Sequence, residues 1–150
     1  MKAYTRQFIA GQWREGRGAG FLENRNPYTR GLLYTYRPAS RADADDAYFA
    51  AVKAQKEWEL LPPARKAALF ERLLEVVISY APVIDECLLL ECGSPKAKRE
   101  FEKTVSAEFV RLCARFPYQT EGKIQPSDTP GQENYVFRKP KGVVCVIAPW

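Results

Sequence analysis

The sequence predicts an α/β protein with short strands near both ends and helices between them. Three observations support this prediction. Residues 1–38 contain short apolar segments separated by turns, residues 40–116 follow the helical period of 3.6, and residues 143–148 form a continuous apolar run. The length of 150 residues suits one domain, and 46% hydrophobic with 27% charged residues is typical of a folded protein.

The first 38 residues predict two β-hairpins. The segment Gln7–Trp13 reverses at Ala10-Gly11, which is a short hairpin signal. The segment Phe21–Tyr36 reverses around Asn26-Pro27, where proline and a following glycine favour a turn. Between them, residues 16–20 form a glycine-rich loop that leads into a strand. A phosphate cradle needs a helix at that point, so we interpret this loop as a flexible turn.

Residues 40–116 predict four helices whose starts are marked. Ser40, with Asp43 three residues later, forms a variant of the capping box. Proline fits the first turn of a helix, where its missing donor is not needed. The other three helices therefore begin near Pro62-Pro63, Pro82 and Ser94-Pro95, the last with Ser94 as a hydroxyl cap. Gly93 is expected to end the third helix.

Each helix carries an apolar stripe at helical spacing. In the first, the stripe is rich in alanine and predicts close approach to another element, with Trp58 as an anchor. The fourth helix should run to about Arg115, and its charged face is expected to be solvated. Its apolar stripe consists of Ala97, Phe101, Val105, Phe109, Leu112 and Phe116.

The segment that follows the helices predicts exposed strands and one buried strand. Residues 122–126 and 134–140 are strand candidates on either side of a turn cluster. The run Val143–Ala148 is apolar and largely β-branched, which predicts a strand buried on both faces, as in a parallel sheet. Such a strand needs neighbours that the rest of the sequence does not supply, so we expect an incomplete domain. The alternative is the last strand of a small α+β domain.

The composition excludes several kinds of chemistry. The chain has no histidine, so it cannot contain a Ser-His-Asp triad or an imidazole metal ligand. The net charge of +5 is spread among both signs, and no nucleic-acid motif is present. No apolar stretch is long enough to cross a membrane. The cysteines Cys87, Cys92, Cys113 and Cys145 lack metal-site spacing, and we interpret them as reduced thiols in a cytoplasmic protein.

Several motifs occur in an order that resembles one enzyme family. They are Phe8-Ile9-Ala10-Gly11-Gln12-Trp13, Asn26-Pro27-Tyr28-Thr29, the helix pair with Trp58, Pro62 and Arg65, Glu91-Cys92-Gly93-Ser94-Pro95, and Pro140-x-Gly142-Val143-Val144-x-x-Ile147-x-Pro149-Trp150. Together they resemble the amino-terminal portion of the NAD(P)-dependent aldehyde dehydrogenase superfamily. Ser94 stands where the family usually has lysine. This departure, with Glu121–Ile124 and Pro126–Asp128, is most similar to the benzaldehyde and vanillin dehydrogenase branch.

The resemblance implies oxidation of an aldehyde to a carboxylic acid with NAD or NADP. In the family, a cysteine thiolate attacks the aldehyde, hydride passes to the nicotinamide, and a glutamate activates the water that releases the acid. The family's oxyanion asparagine immediately follows the Pro-Trp pair, so the resemblance places no catalytic residue within this chain. None of the four cysteines is expected to be the nucleophile, and burial should raise the pKa of Cys145.

The resemblance also implies a division of the chain. Residues 1–121 correspond to the hairpins and helices of the cofactor-binding domain, residues 122–140 to strands that form a homo-oligomer, and residues 141–150 to the first strand of a Rossmann-like sheet. The end of that strand would line the cofactor through Ile147, Ala148, Pro149 and Trp150. Trp150 is equally well explained as a hydrophobic plug. The other interpretation of the whole chain is a catalytically dead module that pairs through residues 122–140.

Overall fold

The computed structural model describes residues 3–148, and its elements follow the predicted order. Strands β1 (Gln7–Ile9) and β2 (Gln12–Arg14) form the first antiparallel hairpin, and β3 (Leu22–Arg25) and β4 (Leu32–Tyr36) form the second. The first turn confirms the sequence prediction, because Ala10 and Gly11 both have positive φ, as a two-residue type I′ turn requires.

The four predicted helices are present, and each begins within two residues of the predicted start. They are α1 (Arg41–Leu60), α2 (Pro63–Ser79), α3 (Ala81–Leu90) and α4 (Lys96–Cys113), the last followed by a short 3-10 helix at Phe116–Tyr118. Ser40 and Asp43 form the predicted capping box at the start of α1. Helices α2, α3 and α4 pack against one another, and α1 contacts β1.

The predicted cap of α4 is wrong in its detail. Pro95, not Ser94, is the residue that precedes the helix, and no side chain caps it. Ser94 is buried because the chain reverses at Gly93, whose φ is +63°. The backbone N–H of Ser94 then donates to the Leu88 carbonyl of α3 at 3.0 Å, so Ser94 closes the α3–α4 turn.

The predicted stripe of α4 also faces the wrong way for a core within this chain. Phe101 and Phe109 are 64% and 63% exposed. On the face expected to be solvated, Lys96, Glu100 and Arg111 are exposed. Arg99 and Lys103 of that face instead turn toward α3 and pair with Asp85 at 3.2 and 3.1 Å. Helix α4 packs against α2 and α3 with this side, and the aromatic stripe is left outside.

After the helices, β5 (Lys123–Pro126) and β6 (Glu133–Val136) form a third antiparallel hairpin, all of whose residues are exposed. The run 143–148 does not form a strand in this structure, contrary to the sequence prediction, and Ile147 is 90% exposed. The run has no neighbouring strand, because each of the three described sheets is an antiparallel pair formed by other segments of the chain.

The core of the described part of the chain is small. Ile9 and Ala67 are the apolar residues that reach full burial there. The accessible surface is 12139 Å², whereas a compact monomer of this mass exposes about 7,800 Å². The helices and hairpins thus hold together while much apolar surface remains uncovered.

Candidate functional site

The residues assigned to a cofactor edge are not assembled into a site here. Ile147 and Ala148 are exposed and lie outside any sheet, and Pro149 and Trp150 lie outside the described residues. A dinucleotide site needs the carboxyl ends of neighbouring parallel strands, and the described sheets are antiparallel pairs. The described residues alone therefore do not fit NAD or NADP, and no chemical step can be derived through either cofactor.

The four cysteines differ in exposure, and the surroundings of Cys87 disfavour its thiolate form. Cys87 is partly covered at the end of α3, and burial, with the nearby charge of Glu91, raises the pKa of its thiol. A raised pKa lowers the fraction of reactive thiolate. Cys92 and Cys145 are exposed, which corrects the expectation that Cys145 is buried, and Cys113 is half-buried. That none of the four cysteines is catalytic stays a prediction.

The most highly connected polar group is a carboxylate cluster where the first hairpin meets α1. The Asp43 side chain is 1% exposed. It accepts hydrogen bonds from the backbone N–H of Ser40 and of Arg17, each at 2.8 Å, and from Arg17 Nε at 2.7 Å. Arg14 Nη2 donates to the same carboxylate at 3.2 Å and to Asp46 at 2.8 Å. We call these five residues the Asp43 cluster.

The electrostatics of the Asp43 cluster favour the charged carboxylates. The backbone hydrogen bond from Ser40, followed by those from Arg17, holds the pKa of Asp43 far below its ordinary value, against the opposing effect of burial. The hydrogen bond from Arg14 lowers the pKa of Asp46 in the same way. These hydrogen bonds and ion pairs fasten the loop at Arg17 to the start of α1.

The glycine-rich loop is therefore held in place, unlike the flexible turn that the sequence predicts. Gly18 N–H donates to the Pro38 carbonyl at 2.8 Å, next to the Arg17 contacts with Asp43. Gly16 is required for this approach, because a Cβ there would lie 2.1 Å from the Pro38 oxygen. The loop leads into β3 and not into a helix, which confirms that it is not a phosphate cradle.

The Glu-x-Gly-x-Pro motif also has a structural contact. Asn24 Nδ2 donates to Glu91 Oε2 at 2.9 Å, joining β3 to the end of α3. Tyr34 lies beside this pair, and burial raises the pKa of its hydroxyl. Gly93 approaches Pro27 so closely that a Cβ would lie 3.1 Å from its ring. The sequence marked both motifs but gave no sign that they meet, because they are separated by more than sixty residues.

Within residues 3–148, no group of three or more possible metal-ligating side chains is found. None of the described helices is both long and apolar enough to cross a membrane.

Comparison with known proteins identifies the fold. The chain matches the model of the aldehyde dehydrogenase family over residues 13–150. Vanillin dehydrogenase of Corynebacterium glutamicum is 42% identical over 146 residues, which cover 97% of this chain and 30% of that protein. Benzaldehyde dehydrogenase YfmT of Bacillus subtilis is 38% identical over 146 residues, again 97% of this chain and 30% of that protein.

Solved structures agree. An NAD-dependent benzaldehyde dehydrogenase from Corynebacterium glutamicum superposes with a TM-score of 0.84 and 39% identity, covering 89% of this chain and 29% of that one. Lactaldehyde dehydrogenase from Escherichia coli gives a TM-score of 0.82 and 28% identity, covering 88% of this chain and 28% of that one.

The fold corresponds to the amino-terminal portion of the architecture of these larger proteins. The chain belongs to the aldehyde dehydrogenase family. It spans about 30% of the length of the curated relatives it matches.

Proposed function

We propose that this chain is the amino-terminal segment of an enzyme that oxidises aromatic aldehydes to carboxylic acids with NAD or NADP. The observation that carries the proposal is the 42% identity, over nearly the whole chain, to a vanillin dehydrogenase. A benzaldehyde dehydrogenase at 38% supports the same class of substrate. The chain alone is expected to be inactive, because it spans only about 30% of the length of these relatives.

The proposal gives the end of the chain a role in cofactor binding. Residues 141–150 would form the first strand of the dinucleotide-binding sheet, and Ile147, Ala148, Pro149 and Trp150 would lie at the edge of the cofactor site. Support comes from the exposed apolar run, which has the composition of a strand buried on both faces. Residues 1–121 would form the surrounding hairpins and helices of that domain.

Residues 122–140 would pair with another subunit to form a homo-oligomer. Both β5 and β6 have an unpaired edge and no buried residue, which makes the hairpin a template for strand addition. Tyr135 and Phe137 stack their rings at 6.3 Å on this exposed hairpin, so it also offers apolar surface. The free state of all four cysteines is consistent with a reducing, cytoplasmic location.

A hybrid enzyme tests the proposed activity. In the hybrid, residues 1–150 of this protein replace the matching residues of the Corynebacterium glutamicum vanillin dehydrogenase, to which they are 42% identical. We expect reduction of NAD or NADP with vanillin or benzaldehyde, at a kcat/KM within about tenfold of the parent enzyme. The isolated 150-residue chain is the matched sample in which no turnover is expected.

Two outcomes would contradict the proposal. A folded hybrid that binds neither cofactor nor aldehyde would favour the non-enzymatic interpretation, a module that pairs through residues 122–140. Turnover of aliphatic but not aromatic aldehydes by a parent-like hybrid would overturn the contribution of this segment to an aromatic specificity. Circular dichroism and a cooperative melt establish that the hybrid is folded before either result is interpreted.

The assembly proposal has its own test. Replacing Tyr135 with lysine puts a charge on the exposed face of β6, and we expect light scattering to show a smaller assembly of the hybrid. Replacing Thr120, which lies outside the hairpin and is exposed, with lysine is the control for added charge. An unchanged mass for Tyr135→Lys would place the subunit contact elsewhere.

A further inference from the structure

A pocket lies between α2, α4 and the 3-10 helix that follows α4. Its volume is about 500 Å³, which is within the range of small-molecule sites. The three elements that form its walls pack directly against one another, so the pocket is formed by this chain alone. We call it the α2–α4 pocket. Its apolar wall consists of Ala67, Phe70, Leu74 and Ala114.

The apolar wall is held in place by packing within the chain. Ala67 is buried, and Phe70 and Leu74 follow it at three- and four-residue intervals on the same face of α2. The Phe70 ring makes an edge-on contact with Trp58 of α1, with the ring centroids 6.2 Å apart. The wall therefore offers a formed apolar surface, against which a flat hydrophobic ligand can be removed from water.

Two arginines lie at the mouth of the α2–α4 pocket, and they differ in their partners. Arg111 already pairs with Glu108, which precedes it by three residues on α4. Arg115 follows Arg111 by four residues and has no ion pair or side-chain hydrogen bond within residues 3–148. The guanidinium of Arg115 is therefore available to an anion, and its planar fork of donors suits a carboxylate.

The remaining residues at the mouth restrict the kind of anion. Tyr118 is 59% exposed and presents an aromatic ring next to the apolar wall, which favours a ligand that is itself aromatic. Glu71 also lines the pocket and has no ion pair within residues 3–148. Its negative charge disfavours a second anionic group on the ligand, whereas its oxygens can accept a hydrogen bond from a ring hydroxyl.

We infer that the α2–α4 pocket binds a small aromatic monocarboxylate, with the carboxylate on Arg115 and the ring against the apolar wall. The binding is argued from the residues that line the pocket. Under the proposed function, this ligand has the chemical class of the reaction product, and only that link rests on the proposed function. The pocket would then allow the enzyme to bind its own product through the amino-terminal segment.

Photoaffinity labelling of the hybrid enzyme tests the inference. The probe is 4-azidobenzoate, which loses dinitrogen in light and leaves a nitrene that bonds to nearby residues. Peptide-resolved mass spectrometry is expected to find the label in peptides from residues 67–74 and 111–119. An excess of benzoate should lower this labelling about tenfold, whereas the neutral benzamide should change it by less than about twofold, because only benzoate offers a carboxylate to a guanidinium.

Variants connect the labelling to one cation. Arg115→Ala should lower the labelling of these peptides about tenfold, because the carboxylate loses its partner. Arg72→Ala is the matched control, since Arg72 is exposed on α2 and does not line the pocket. It should change the labelling by less than about twofold. If Arg115→Ala prevents folding of the hybrid, Arg115→Gln removes the charge with a smaller loss of side-chain volume and gives the same readout.

Three outcomes separate this inference from the proposed function. Labelling that survives Arg115→Ala, or that benzamide lowers as much as benzoate does, would overturn the inference, because the carboxylate would not be recognised. Absence of the label from these peptides in an active hybrid would also overturn it and leave the proposed function intact. An unsubstituted hybrid that is labelled as expected but turns over no aldehyde would count against the proposed function alone.

Discussion

The Asp43 cluster and the α4 stripe differ in how far their side chains are buried and paired within this chain. The α4 stripe is the apolar side formed by Phe101, Val105, Phe109 and Leu112, with Phe116 beyond the end of the helix. Asp43 is buried and takes every hydrogen bond it needs from residues within thirty positions along the chain. Phe109 and its neighbours are left exposed, although their spacing is that of a core-facing helix. A buried charge needs hydrogen-bond and ion-pair partners with defined geometry close to it. Apolar area needs only to be removed from water, and any well-fitting part of a larger protein can cover it.

The largest effect is expected from removing the carboxylate of the Asp43 cluster. Asp43→Ala leaves two guanidinium groups and two backbone N–H groups without their acceptor, and it breaks the capping box of α1. We expect the Tm of the hybrid enzyme to fall by about 3–5 °C. Asp45→Ala on the same helix is the matched control and should change Tm little. A similar Tm for both variants would refute the central role of Asp43.

A second prediction concerns acid. The pKa of Asp43 is lowered in the folded protein, so the unfolded state binds more protons as the pH falls through the ordinary carboxyl range. The stabilisation by this group is complete above about pH 4 and is lost as the pH falls below it. Melts of the hybrid between pH 3 and pH 7 should show a steeper acid loss than melts of Asp43→Asn. Parallel curves for the two proteins would contradict the prediction.

The α4 stripe predicts an effect that depends on context. In the hybrid, Phe109→Ala should cost about 2–3 kcal/mol of unfolding free energy, because it leaves a cavity under the covering polypeptide. In the isolated chain the same substitution removes an exposed ring and should cost less than about 0.5 kcal/mol. Urea unfolding measures both values. Equal costs in the two proteins would show that the stripe has the same surroundings in each.

The smallest effect is expected at the cap of α1. The Ser40 hydroxyl accepts from Asp43 N–H at 3.2 Å and donates to the Asp43 carboxylate at 2.9 Å. Ser40→Ala should therefore cost about 1 kcal/mol, and Ser40→Thr, which keeps the hydroxyl, less than half of that. A cost for Ser40→Ala above that of Asp43→Ala would invert the ranking and place the main role of the cluster in the hydroxyl.

Local signals made much of the fold predictable. Three features each depend on a few adjacent residues. They are the turn at Ala10-Gly11, the capping box at Ser40, and the prolines at the starts of α2 and α3. The rotation of α4 was not predictable, because it depends on how α4 packs against α2 and α3. The contact between Asn24 and Glu91 was not predictable either, because no local sequence pattern indicates that these two distant residues meet.

The sequence by itself determined the order and type of the hairpins and helices, the family, and the absence of histidine chemistry. Those properties depend on turn residues, hydrophobic periodicity and the order of motifs, all of which can be read from neighbouring positions in the sequence. Tertiary structure decided which face of α4 is turned inward, how Arg14 and Arg17 reach Asp43, and that residues 143–148 stay unpaired here. These outcomes depend on which distant groups are present to satisfy a charge or to pair with a strand, and no local pattern contains that information.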